Sequence, residues 1–228
     1  MLPAFRFGVA FALGASAVVA SAGPPSARDL LTQASFSGQP QAVALRQVDA
    51  AQALAAGVLR SDPGDAEAAL MEATAIGYHA KLTGSHTEAV AARKRFERLV
   101  AAHPRNAEAQ LALGAWHVGA VYRLGGLMAR AALGATRSTG LATLERAVAL
   151  GGDRAFYPGM AALLRLELDP ADARGRVLAE AAARAPAPTP LDRIVQRAAT
   201  AVLAPLRAGD TGRVKALAAR HLPFGWLD

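Results

Sequence analysis

The sequence contains no cysteine. That excludes disulfides, thiolate metal sites, a cysteine nucleophile and a lipidated N-terminal cysteine. Aromatic residues make up only 5% of the chain and β-branched residues are sparse, and no useful length alternates apolar with polar as a half-buried strand would. Lysine is rare: Lys81, Lys94 and Lys215 are the only ones, and every other cation is arginine. The formal net charge of +7 is scattered among Glu and Asp with no basic run. That argues for solvated helix faces rather than a nucleic-acid arm. What remains is a hydrophobic fraction of 53% over 228 residues, much of it alanine and leucine. These are strong helix formers, and a chain of this length can bury a core. The expectation is an all-α protein packed through small side chains.

Met1 to Ala22 reads as a secretory signal. Arg6 supplies the positive start, residues 7–20 the apolar stretch, and Ala20-Ser21-Ala22 a small-residue cleavage pattern. The stretch is short for a span of roughly 20 residues, although an uncleaved anchor is the alternative. Residues 23–39, rich in Pro, Ser and Gly, read as a flexible lead-in, and residues 40–228 as the helical domain. Cleavage would place the protein in the periplasm or outside the cell, with no stable membrane span left.

Helical periodicity then recurs with short breaks. Helices are expected over about 40–60, 65–82, 87–102, from 106 up to a kink at Gly125-Gly126, and over 127–133. A further one carries Leu141, Leu144 and Val148, and others cover 154–168, 171–184, 191–206 and 211–221. Asp62-Pro63-Gly64-Asp65-Ala66-Glu67-Ala68 is echoed by His103-Pro104-Arg105-Asn106-Ala107-Glu108-Ala109, the prolines about 41 residues apart. Proline stops the incoming helix. Asp65 or Asn106 caps the next, and Glu67 or Glu108 suits the positive end of its dipole. Asp169-Pro170-Ala171-Asp172 is another turn of this kind.

These strings resemble the junctions between tetratricopeptide repeats. Residues 65–102 are similar to one repeat, 106–151 to a longer, degenerate one, and 150–184 to a third helix pair, so the resemblance spans about residues 40–206. The run from Leu113 to Arg130 is also distantly similar to the helical array of regulator-of-microtubule-dynamics-like proteins. The resemblance implies a tetratricopeptide-like α-solenoid of about eight or nine helices. It also implies a groove for a peptide or partner protein in the cell envelope: a non-catalytic scaffold or, alternatively, an adaptor subunit of a transporter or assembly complex.

Catalytic strings are missing. There is no nucleophile elbow, phosphate loop, dinucleotide fingerprint or His-Glu-x-x-His. The histidines lack ligand spacing, and Ser85-His86 reads as a turn followed by a helix start. No cofactor, metal or catalytic residue is expected. Trp116, Arg123 and Arg130 recur at seven-residue steps, which suits either a groove holding a carboxylate or peptide end or a core tryptophan flanked by surface arginines. Tyr78, His117, Tyr122 and Tyr157 are secondary groove candidates. The mostly apolar residues 111–135 contain Arg123, Arg130 and a glycine pair, so a buried central helix fits them better than a bilayer span.

Overall fold

Three turns of nearly the same geometry punctuate the chain. The residue before each proline is extended, as proline requires: Asp62, His103 and Asp169 have φ of −135°, −129° and −146°. The residue opening the next helix then returns a backbone hydrogen bond across the turn. Asp65 N donates to the Asp62 carbonyl (3.2 Å), Asn106 N to that of His103 (2.9 Å) and Asp172 N to that of Asp169 (3.0 Å). Each opening side chain accepts from a free amide of the first helical turn: Asp65 from Ala68 N, Asn106 from Glu108 N and Ala109 N, Asp172 from Gly175 N. Pro63 and Pro104 thus lie at joints, as the sequence predicts.

The computed structural model describes residues 23–227; the signal-like stretch 1–22 lies outside them. Among the described residues there is no strand. The order is α1 (Ala27–Phe36), α2 (Gln41–Ser61), α3 (Ala66–Thr83), α4 (His86–Ala102), α5 (Ala107–Leu124), α6 (Gly126–Met128), a π-helical turn (Ala129–Leu133), α7 (Arg137–Leu150), α8 (Phe156–Leu168), α9 (Ala173–Arg184), α10 (Pro190–Ala208) and α11 (Thr211–His221). Among the described residues eleven α-helices replace the expected eight or nine. One difference is α1, where the sequence reading expects a loose lead-in. Ser26 and Asp29 form a reciprocal capping box there, and Leu31, Ala34 and Ser35 are buried.

Each helix packs on its neighbours in the chain, with α5 pairing most extensively with α7. A second set of contacts joins α1 to α3, α5 to α8, and α8 to both α10 and α11. One core gathers α1–α4, the other α7–α11. Helix α5 serves both, Leu113 turning to the first and Leu111 and Val118 to the second. This explains its apolar character nearly all round. No helix among the described residues is long and apolar enough to cross a membrane.

The α5–α7 approach depends on Gly114. A β-carbon there would stand 2.8 Å from Leu144 Cδ2 and 2.8 Å from Thr143 Oγ1, whereas one at Gly119 would meet nothing within 4 Å. Gly114→Val should destabilise the protein by about 1–3 kcal/mol through overpacking. Gly119→Ala should instead stabilise it by about 0.5–1 kcal/mol, because only helix propensity changes. Urea unfolding of both variants checks the pair: similar effects would mean that the helices are not in this close contact.

Candidate functional site

After α11 the chain does not leave the molecule. Residues 222–227 run back over α1 and α3 and are held by main-chain and side-chain donors. Phe224 N donates to the Ser35 carbonyl (2.9 Å), Trp226 Nε1 to the Gln39 carbonyl (3.1 Å), and Lys81 Nζ to the Pro223 carbonyl (2.6 Å). Phe224 is fully buried. Its ring stands edge-on to Tyr78 at 4.9 Å, with Trp226 at 5.4 Å. Among the described residues it is the only non-glycine with a left-handed backbone (φ 62°), a conformation disfavoured for a bulky side chain. The ring contacts therefore outweigh local strain. Burial pushes the Tyr78 hydroxyl up to about 12.

Beside this seat lies a cleft of about 80 Å³, lined among others by Arg28, Tyr78, Glu108, Phe156, Met160 and Pro223. Helices α1, α3, α5 and α8 converge on it. Arg28 spans the glutamates that follow the two echoed Pro-containing turns, with Nη1 2.5 Å from Glu108 and Nε 2.9 Å from Glu67. Burial opposes the guanidinium charge, but hydrogen bonds to Glu108 and then Glu67 outweigh it and raise its pKa. The cleft is smaller than the roughly 300–1,000 Å³ typical of small-ligand pockets. It has room for a side chain. A larger depression of about 320 Å³ lies among α9, α10 and α11, where the Arg176 guanidinium is already engaged by the Leu206 carbonyl.

The sequence candidates fall into several places. Tyr78 lines the cleft and packs on Phe224. Tyr122 is exposed at the end of α5, with Lys215 of α11 5.5 Å from its ring; both tyrosines therefore meet the C-terminal part of the chain. Trp116 is half-buried against two apolar clusters, and the guanidinium 5.9 Å from its ring is Arg93 of α4. His117 is buried, and its Nδ1 accepts from Thr136 N (3.2 Å). Burial and then the Arg93 charge lower its pKa to about 4, so it is neutral at pH 7. Tyr157 is buried at the start of α8, edge-on to Phe156 at 5.2 Å. Arg123 and Arg130 are exposed.

The sequence reading missed Arg28, Phe224 and Trp226, and saw Glu67 and Glu108 only as helix-start residues. Their equivalent positions after the two Pro-containing turns were the available signal: that spacing stacks both carboxylates along one face, within reach of one cation. Ser85 Oγ accepts from Glu88 N (3.3 Å), capping α4, and His86 Nε2 lies 3.0 Å from the Ala132 carbonyl. Their roles are local. Among the described residues no group of three His, Asp or Glu could hold a metal ion. No protein-family model, characterised protein or solved structure matches the chain. The functional reading rests on geometry.

Proposed function

We propose that this protein is a non-catalytic peptide-binding scaffold built as a tetratricopeptide-like stack of helix hairpins: α1/α2, α3/α4, α5/α7, α8/α9 and α10/α11. The packing order from α1 to α10 and the three matching turns support that arrangement, with α11 packed on both α8 and α10. Its first helices, α1, α3, α5, α8 and α10, then form one continuous face. If residues 1–22 act as an export signal, the scaffold works in the cell envelope.

The observation that carries the reading is residues 222–227. An irregular peptide segment lies across that face with a buried aromatic anchor, its Pro223 carbonyl accepting from Lys81 and its Phe224 amide and Trp226 indole N–H donating to the Ser35 and Gln39 carbonyls. A surface that holds such a segment from its own chain has the chemistry to hold one from another. The tethered segment competes at an effective concentration of about millimolar, so the face is mostly occupied and a free peptide binds weakly until the segment is displaced.

The test is a fluorescent peptide covering residues 219–227, titrated into the parent protein and into Phe224→Ala. The variant should bind it at least about tenfold more tightly, because the binding-competent fraction rises. A folded Phe224→Ala variant with no affinity for the peptide sinks the reading.

A further inference from the structure

The end of α5 is pushed outward instead of being buried. Gly125 has φ 74° and ψ 155°, a region essentially reserved for glycine. It breaks α5 and starts α6, and the π-helical turn and Gly134 (φ 67°) lead back into α7. The base of this protrusion is anchored. Val121, Ala129 and Ala135 are buried together against Trp116, Leu133 and Leu168, and Arg93 Nη1 donates to the Leu133 carbonyl (2.6 Å). Its apex is exposed: Leu127 is 82% exposed, Met128 58%, Leu124 45% and Tyr122, beneath Lys215, 36%. Contiguous exposed apolar side chains on a braced support are unusual on a soluble surface and mark a contact.

The charge around the apex selects the kind of partner. No Asp or Glu occurs between Glu108 and Glu145, while Arg123, Arg130 and Arg137 do. All three arginines are exposed, and Lys215 of α11 lies over the Tyr122 ring. We propose that this apex is a membrane-surface contact. Leu124, Leu127 and Met128 enter the boundary between headgroups and acyl chains, Tyr122 sits at headgroup level, and the surrounding cations engage anionic phospholipid headgroups. The protein lies on the bilayer without spanning it. The contact is separate from the face that holds residues 222–227, so the two can succeed or fail independently.

The experiment is co-sedimentation of the full chain with phosphatidylcholine vesicles with and without phosphatidylglycerol. Leu127→Glu and the double variant Arg130→Gln/Arg137→Gln are compared with the parent, so any affinity of residues 1–22 is common to all. All the substituted side chains are exposed, and circular dichroism checks that the variants remain folded. The parent should prefer the phosphatidylglycerol vesicles. Leu127→Glu should weaken that binding at least about tenfold, and the arginine variant should remove most of the lipid preference. The proposal is overturned if the parent does not sediment, if it binds both vesicles equally, or if Leu127→Glu sediments like the parent. In those cases the apex faces a protein partner or none.

Discussion

Asp192→Ala should lower the unfolding free energy by about 2–4 kcal/mol, the cost of losing a helix cap together with the only acceptor of several buried donors. Asp192 has no exposed surface, yet every direction around its carboxylate is used. Thr189 Oγ1 donates at 2.6 Å and Thr189 N at 3.1 Å, closing the capping box that begins α10. Phe156 N donates at 3.2 Å and Arg154 Nη2 at 3.0 Å, both from the start of α8. One side chain thus caps one helix and ties it to another. Burial works to raise its pKa, but hydrogen bonds from Thr189 and Arg154 outweigh it and hold the carboxyl below the usual range. For a depressed carboxylate the stabilisation is fully present above the unfolded-state value and is lost as pH falls through the folded one. The gap between parent and variant should therefore persist down to about pH 3.8 and shrink only below it. Arg154→Ala should cost less, because the arginine is partly exposed and Asp192 keeps three other donors. Chemical denaturation across pH checks both; a loss under 1 kcal/mol for Asp192→Ala would contradict the buried network.

Phe224→Ala should have an effect of similar size but different character. Truncating a fully buried phenylalanine costs about 3–5 kcal/mol, and the left-handed backbone at this position adds strain that only the ring contacts offset. The segment is short and its other attachments are three hydrogen bonds, buried Leu222 and half-buried Trp226, so it should undock locally before the helices unfold. Thermal stability should fall, and trypsin should gain access to Arg220, next to the released segment. Phe224→Leu should be intermediate, since it retains apolar volume but loses the edge-on contact with Tyr78. An unchanged tryptic pattern in Phe224→Ala would show that the ring does not hold the segment in place. The same variant exposes the face proposed to bind peptide, which links the stability measurement to the proposed function.

Part of this architecture was legible before any coordinates. Asp65, Asn106 and Asp172 announced helix starts because a capping side chain acts on amides only two or three residues away. The prolines announced the ends by restricting the residue before them. The stripe on α10, from Ile194 and Val195 to Leu206, was readable for the same reason: periodicity of 3.6 is local. The reading failed where local signals conflicted. Residues 27–34 can make a short helix, yet the surrounding Pro, Ser and Gly read as a loose lead-in, and it is the Ser26–Asp29 capping box that starts α1. It failed again where composition and location part. Residues 111–135 are mostly apolar, but the expectation of a buried central helix fails over residues 122–128, which are exposed. Hydropathy reports what a side chain prefers, and a glycine-directed backbone can hold it elsewhere.

The candidate site was the least legible. Of the residues singled out for a groove, Tyr78 lines the cleft, whereas Trp116 and His117 pack between helices. Pro223-Phe224-Gly225-Trp226 carries no periodicity, and its meaning comes from Ser35, Gln39 and Lys81, residues more than 140 positions earlier in the chain. Sequence alone determined most of the long helices, the caps after the Pro-containing turns and those joints, because they depend on atoms a few residues apart. Tertiary structure alone decided that Arg28 bridges Glu67 and Glu108, that Phe224 closes over Tyr78, and that Leu127 faces outward. Each of those depends on which surfaces the stacked helices bring together, and contacts between distant segments leave no pattern in either segment by itself.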